Sequence, residues 1–186
     1  FDEADKSRDW KMIDGTNQSM TYSLELPDPE PYSKKINRKN LWCFCNAQEL
    51  TLVSPAMHEE FMIEYQLPLM EQFGLIAYGC CEDLSNKIDI LRQIPNLRRI
   101  SVTPFADIKK CAAQIGTDYI LSWRPSPAEM VSNNFDPDHI RKVIKEANDI
   151  FKGLHYDICL KDVVTVRNEP KRIRDWVSEV RNIIEQ

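Results

Sequence analysis

Short runs of apolar residues recur from residue 41 onward, each followed by a polar or small-residue turn and then by a stretch with helical periodicity. The runs have the length of β-strands. Most of them are apolar throughout instead of alternating, which is typical of strands covered on both faces. The predicted strands span residues 41–45, 75–80, 97–102, 119–122 and 156–160.

Helix signals fill the intervals between these runs. Ser54 and Pro55 form an N-cap and first-turn proline, and the amphipathic stretch that follows ends at Gly74. We expect Pro68 to kink or split this first helix. Further helices are predicted at 83–93, 104–115, 136–152 and from 169 to the end. Five βα units in series predict parallel strands, because a parallel pair needs a long crossover.

The pattern therefore predicts an α/β fold, for which there are two candidate architectures. A doubly wound sheet normally carries a glycine-rich phosphate turn after its first strand, but the chain has only 5 glycines and no G-x-G-x-x-G. The alternative is a parallel β/α (TIM-type) barrel, whose complete form has eight units in about 250 residues. The five units present would be its C-terminal part, at 41–186. Residues 1–40, with one short alternating stretch at 20–26, are expected to form an irregular N-terminal extension.

Composition excludes several classes of function. A length of 186 residues suits one domain. The net charge of −5 argues against nucleic-acid binding, which needs a basic stripe. No apolar run approaches the roughly 20 residues of a membrane span, and the polar, acidic N-terminus does not resemble a signal peptide. We therefore expect a cytoplasmic protein with no membrane partner, whose 6 cysteines are reduced thiols.

Candidate chemistry lies just after the predicted strands, because both architectures bind ligands at the carboxyl ends of their strands. The residues there are Asn46, Gln48 and Glu49; Cys80, Cys81 and Glu82; Thr103; Trp123, Arg124 and Ser126; and Lys161, Asp162 and Thr165.

The segment Cys80-Cys81-Glu82 offers ligands for a soft cation such as zinc, with Cys159, Glu82 or Glu49 as conceivable further ligands. Adjacent cysteines on an extended segment point to opposite sides, so only one would face the site. The alternative is that both thiols are small buried hydrophobes. The lone His58 is expected to be a surface residue of the first helix.

Arg124, Lys161 and Asp162 have two interpretations. A guanidinium and an ammonium group can clamp a carboxylate substrate while an aspartate orients a base. The same residues could instead form an ion pair that closes the rim between neighbouring units. The aromatic residues near the strands likewise form either core or an apolar wall for a flat ligand. They are Trp42, Phe44, Tyr78 and Trp123.

Several longer stretches resemble the uroporphyrinogen decarboxylase superfamily, and within it the bacterial branch grouped with corrinoid-dependent methyltransferases. They are LWCFCNAQE, GCCEDL, NLRRISVTPFAD, WRPSPA and DICLKDVVTVRNEP, and the resemblance covers residues 41 to 186. It implies a β/α barrel in which the five runs are the last five strands and the first strands are absent from this chain.

Methyltransferase members of this family hold zinc at the strand ends, often through a His-x-Cys pair and a further cysteine near the last strand. The segment Tyr78-Gly79-Cys80 falls at the pair, so the cysteine is kept and the histidine is replaced. Val164 also stands where relatives have a histidine. The resemblance makes Cys80 and Cys159 the zinc candidates. Zinc would lower a thiol's pKa or activate a methoxyl or methylamine donor, opposite a corrinoid carried by a partner protein.

By the same resemblance, Glu49, Glu82, Arg124, Lys161 and Asp162 are the candidate catalytic residues. The candidate substrate contacts are Asn46, Gln48, Tyr78 and Trp123. Two other functions remain open. One is metal-free decarboxylation of the carboxylate side chains of a tetrapyrrole. The other is a non-catalytic half-barrel that dimerises to cover its sheet edges, or that pairs with a missing N-terminal half.

Overall fold

A computed structural model describes residues 38–132 and 135–185, which form a parallel five-stranded sheet flanked by helices. The strands are β1 (Trp42–Cys45), β2 (Leu75–Tyr78), β3 (Leu97–Val102), β4 (Ile120–Trp123) and β5 (Tyr156–Ile158). They lie side by side in chain order, and every neighbouring pair is parallel. This confirms the predicted α/β class. A doubly wound sheet reverses its strand order at a switch point, whereas this order is compatible with part of a β/α barrel.

The first helix, α1, changes geometry along its length. It consists of an α-helical turn (Pro55–His58), a π-helical segment (Glu59–Ile63) and an α-helical segment (Glu64–Met70). Ser54 is its N-cap, and its hydroxyl accepts a hydrogen bond from the Met57 N–H at 3.2 Å. Of the two predicted effects of Pro68, a kink or a split, the split is wrong, because the α-helical segment continues through this residue. A proline removes one backbone hydrogen bond, while buried Ile63 and Met70 pack this helix against the core.

The remaining helices are α2 (Ile88–Leu91), α3 (Ile108–Ile115), α4 (Pro137–Ile150) and α5 (Lys171–Ile184). Shorter elements are 3₁₀ turns at Arg38–Asn40 and Gln48–Leu50 and a π-helical turn at Ala128–Ser132. The predicted extension at 1–40, including the stretch at 20–26, lies outside the described residues except for the first of these turns. Within the described ranges, no helix is long and apolar enough to cross a membrane.

The helix predicted at 83–93 is much shorter than expected. The Asp83 carboxylate accepts hydrogen bonds from both the backbone N–H and the hydroxyl of Ser85, at 2.9 and 2.5 Å. Short polar side chains compete in this way with helical hydrogen bonding. Residues 83–87 are therefore not helical, with a turn at 85–87, and α2 begins only at Ile88.

The two faces of the sheet have different chemistry. Strand residues on one face, among them Ile76, Tyr78, Ile100 and Leu121, join the apolar side chains of the helices in one core cluster. The other face carries Arg99, Ser122 and Asp157. The Arg99 guanidinium is 1% exposed and donates to the Ser122 hydroxyl at 2.7 Å and to the Asp157 carboxylate at 2.6 Å. A charge this deeply buried needs such partners. The apolar pattern of the strands did not predict this polar face.

Gly79 ends β2 in a conformation that other residues rarely adopt, with φ of 95°. A Cβ atom at this position would lie 2.6 Å from Leu84 Cδ1 and 3.2 Å from Ser101 Cβ. The chain therefore turns sharply at this glycine, directly before the two adjacent cysteines.

Glycine is needed at position 79 for its positive φ and for lack of space for a Cβ atom. The energetic cost of the second can be measured by comparing Gly79→Ala with Gly153→Ala. Gly153 also has a positive φ, of 82°, but a Cβ atom added there would have nothing within 4 Å. Both substitutions strain the backbone, at a cost of about 1–2 kcal/mol. Only Gly79→Ala adds overpacking, so we expect its loss of unfolding free energy to exceed that of Gly153→Ala by about 1–3 kcal/mol. Urea denaturation followed by tryptophan fluorescence measures both, and equal losses would contradict the steric account.

Candidate functional site

A cavity of about 190 Å³ opens at the carboxyl ends of four neighbouring strands. The segment after β2 contributes Cys80 and Cys81, and the segment after β3 contributes Thr103. Arg124 follows β4, and Lys161 and Asp162 follow β5. The sequence analysis selected these residues because ligands of parallel α/β folds bind at the carboxyl ends of the strands, and the cavity lies at that edge of the sheet.

Glu82 fixes the backbone on one side of this cavity. Its carboxylate is 1% exposed and accepts hydrogen bonds from the backbone N–H of Ala47 at 2.8 Å and of Cys80 at 2.6 Å. The carbonyl of Cys80 accepts a further hydrogen bond from the Arg124 guanidinium at 2.8 Å. Glu82, predicted as a catalytic residue, does not line the cavity and instead positions Cys80.

The two adjacent thiols both face the cavity. Their sulfur atoms are 3.6 Å apart, and the Lys161 ammonium donates to the Cys80 sulfur and lies 4.0 Å from the Cys81 sulfur. The expectation that only one thiol faces the site is wrong. It assumed an extended backbone, whereas residues 80–82 form a bend after the positive φ of Gly79.

The surroundings of the two thiols differ. Cys80 is buried and Cys81 is exposed. The Cys81 thiol donates to the Asp162 carboxylate, with its sulfur 3.6 Å from Oδ2. Partial burial, together with the neighbouring Cys80, raises the pKa of Cys81 to about 11, although the Lys161 charge acts in the opposite direction. Cys81 is therefore protonated at neutral pH.

Two buried polar atoms belong to residues that line the cavity. Within the part of the chain that the structure describes, neither Arg124 Nε nor Thr103 Oγ1 has a hydrogen-bond partner. Arg124 is 4% exposed and Thr103 is 1% exposed. Buried polar groups are nearly always satisfied, so unpartnered donors beside a cavity indicate a place for a polar ligand.

Of the two cysteines that the family resemblance suggests for zinc, only Cys80 lines the cavity. Cys159 follows β5, and its N–H extends the sheet by donating to the Trp123 carbonyl at 3.0 Å. It does not line the cavity, which the chain reaches only two residues later, at Lys161. Among the described residues, no group of three or more histidine, cysteine, aspartate or glutamate side chains is placed to hold a metal ion. The two thiols that line the cavity are those of Cys80 and Cys81.

Three of the predicted residues lie in the loop after β1, away from the cavity. Gln48 and Glu49 are exposed on the 3₁₀ turn. Asn46 is half-buried, and its carbonyl accepts a hydrogen bond from the Gln66 amide at 2.9 Å. These three residues do follow a strand, as the sequence analysis required of candidate site residues. The cavity, however, lies at the ends of the four later strands.

Tyr78 and Trp123, predicted as substrate contacts, are core residues. Trp123 packs edge-on against Phe151, with ring centroids 5.8 Å apart. The Tyr78 hydroxyl is hydrogen-bonded to His58 Nε2 at 2.8 Å, and both side chains are fully buried. The expectation that His58 is a surface residue is therefore wrong, because α1 turns this position toward the end of β2. Burial raises the pKa of Tyr78. Burial, helped by the Lys87 charge, lowers the pKa of His58.

Comparison with models of known protein families gave no match, and comparison with curated proteins gave none either. The fold and the cavity themselves define the class: a parallel α/β protein with a strand-end site made of two thiols, a guanidinium, an ammonium and a carboxylate. Its function is inferred below from that arrangement.

The buried His58 predicts a pH dependence of stability. Its pKa is lowered in the folded protein, so below its usual value of 6.5 the unfolded chain binds the extra proton. The stability that neutral His58 contributes is complete above pH 6.5 and is lost as the pH falls toward the folded-state pKa. We expect the unfolding free energy to fall by up to about 1.4 kcal/mol per pH unit between pH 6.5 and 5.

The control for this prediction separates His58 from the other histidines. His58→Gln keeps a hydrogen-bonding group beside Tyr78 but cannot titrate. The unfolding free energy of this variant should therefore change less steeply with pH between pH 6.5 and 5. His155→Gln changes an exposed side chain and should leave the slope as it is. Urea denaturation at several pH values measures all three proteins, and identical slopes would contradict the assignment.

Proposed function

We propose that this chain is a uroporphyrinogen decarboxylase-like protein of the corrinoid-dependent methyltransferase branch, with methyl transfer taking place in the strand-end cavity. The observation that carries this proposal is the pair of thiols beside Lys161. Methyl transfer to or from a corrinoid suits a soft nucleophile, and a thiolate is the softest nucleophile that a protein side chain provides. Decarboxylation of a tetrapyrrole needs no thiol.

Each residue at the cavity would have its own role in this reaction. The Lys161 ammonium contacts the Cys80 sulfur and would balance negative charge on that sulfur when it acts as the nucleophile. Arg124 Nε and Thr103 Oγ1, which lack protein partners among the described residues, would bind oxygen atoms of the substrate. The Glu82 carboxylate holds the Cys80 backbone in place by accepting a hydrogen bond from the Cys80 N–H. A corrinoid on a partner protein would supply or receive the methyl group.

Zinc is a weaker part of the proposal. It would lower the pKa of a thiol or act as a Lewis acid on the methyl donor. Catalytic zinc usually has three protein ligands. At the cavity, the described residues offer only the thiols of Cys80 and Cys81, and the ammonium of Lys161 lies against one of them. No step is therefore assigned to zinc.

The size of the cavity favours a small methyl donor or acceptor. Sites for drug-sized ligands occupy about 300–1,000 Å³, whereas this cavity measures about 190 Å³. A tetrapyrrole is larger than most such ligands and would not be enclosed. Decarboxylation of a tetrapyrrole is the second candidate, favoured by the buried guanidinium of Arg124, which is suited to a carboxylate.

A non-catalytic role is the third candidate. Within the described ranges, β1 and β5 each have a neighbouring strand on one side only. Unpaired strand edges invite pairing with another chain. A half-barrel that dimerises, or that pairs with a separate N-terminal half, would cover both edges.

Methyl transfer can be tested with methylcobalamin as the donor. We expect the reduced chain to gain the mass of one methyl group, on the peptide that contains Cys80. Replacing the nucleophile in Cys80→Ser should lower the rate by about two orders of magnitude or more. Cys159→Ser, which alters a half-buried thiol outside the cavity, should transfer at the parent rate.

Zinc content of the same proteins tests the metal separately. If zinc takes part, elemental analysis should find about one zinc per chain in the parent. It should be lost from Cys80→Ser and Cys81→Ser and kept in Cys159→Ser. If the parent contains no zinc and still accepts the methyl group, zinc is excluded and the proposed methyl transfer stands. A parent that accepts no methyl group, with or without added zinc, would overturn the proposed methyl transfer.

A further inference from the structure

The chain contains two pairs of cysteines with almost the same spacing between sulfur atoms. Cys80 and Cys81 are separated by 3.6 Å, and Cys43 and Cys45 by 3.7 Å. The second pair is in the hydrophobic core, 5% and 7% exposed. In the first pair, Cys81 is exposed, and both thiols line the cavity. The sulfur–sulfur distance therefore gives no reason for the two pairs to differ in reactivity, whereas their surroundings do.

In the hydrogen bonds of the described residues, charged groups contact only the pair that lines the cavity. The Lys161 ammonium contacts the Cys80 sulfur, and the Asp162 carboxylate accepts from the Cys81 thiol. A cation beside a thiol favours the nucleophilic thiolate, and a carboxylate can receive the proton of the second thiol. Cys80 itself is only 4% exposed, so an oxidant would reach its sulfur through the cavity that it lines. A cation-paired thiol that an oxidant can reach, next to a second thiol, is the type that oxidants select.

We propose that Cys80 and Cys81 form a reversible redox site, in which a peroxide oxidises Cys80 and Cys81 then closes a disulfide with it. This inference does not rest on the proposed methyl transfer. It would hold equally if the cavity served another reaction.

The chemistry balances in two steps with hydrogen peroxide as the oxidant. The Cys80 thiolate attacks one peroxide oxygen, the O–O bond breaks, and the leaving hydroxide takes up a proton to become water, which leaves a sulfenic acid on Cys80. Cys81 then transfers its proton to Asp162 and attacks the Cys80 sulfur. The S–O bond breaks, the hydroxide leaves as water with that proton, and the S–S bond forms. Two thiols and one peroxide give one disulfide and two waters.

The adjacency of the two residues indicates that the disulfide is readily reduced again. Consecutive Cα atoms lie about 3.8 Å apart, which is below the usual range of about 4.4–6.8 Å for disulfide-linked residues. Strained and exposed disulfides are the labile ones. Oxidation would also consume the Cys80 sulfur as a nucleophile, so any reaction that uses it would stop until a thiol reductant restores it.

The test is to treat the reduced chain with one equivalent of hydrogen peroxide, block the remaining thiols by alkylation and map the products by mass spectrometry. Cleavage after glutamate places the two pairs on separate peptides, because Glu49 and Glu71 lie between them. We expect the peptide that ends at Glu82 to lose two hydrogens and take up no alkyl group. The peptide that ends at Glu49 should be doubly alkylated, and dithiothreitol should restore the first peptide.

Three variants assign the roles of the residues. Cys81→Ser should stop at the sulfenic acid on Cys80, which dimedone traps. Lys161→Met removes the charge with little change in size and should slow the oxidation of Cys80 by about tenfold or more. Lys145→Met, which alters an exposed lysine on α4, should oxidise at the parent rate.

Each opposite result would overturn the inference. Cys80 and Cys81 that remain fully alkylated after peroxide treatment would show that the pair is inert. Oxidation of the Cys43 and Cys45 pair at the same rate would show that access and charge do not select the site. An equal rate in Lys161→Met would exclude the role of the ammonium, and disulfide-linked dimers in place of the internal bond would show that Cys81 is not the resolving thiol.

Discussion

A single buried carboxylate determines the shape of the strand-end site. Glu82 is almost fully removed from solvent, and its two oxygens accept backbone hydrogen bonds from Ala47, after β1, and from Cys80, after β2. A buried charge is tolerated only when it is hydrogen-bonded, so the two segments must stay where they satisfy it. The position of Cys80, and through it the contacts with Arg124 and Lys161, depends on this constraint.

The order of the elements and the edge of the sheet that carries the site could be predicted from the sequence. Runs of apolar residues of strand length, separated by helical stretches, favour parallel strands with crossovers, and ligands of such sheets bind at the carboxyl ends. The cavity residues Cys80, Arg124, Lys161 and Asp162 all follow from this reasoning. The barrel itself and the catalytic chemistry remain proposals.

What the sequence could not show depends on geometry that is not periodic. Both cysteines face the cavity because the backbone at Gly79 has a positive φ, which a strand pattern does not reveal. His58 is buried because its position on α1 faces the end of β2, and a lone histidine carries no sign of this. The buried Arg99 could not be found from apolar patterning, since a charged residue in a strand is usually expected at the surface.

The site is also assembled from parts of the chain that are synthesised at different times. Lys161 lies 81 residues beyond Cys80, and the strands lie in the sheet in chain order. At a translation rate of about 5–20 residues per second, the ribosome needs roughly 4–16 s to make the intervening chain. During this interval the two adjacent thiols have neither their ammonium nor their carboxylate partner. The nascent protein therefore passes through a stage in which these cysteines are present without the groups that later control their chemistry.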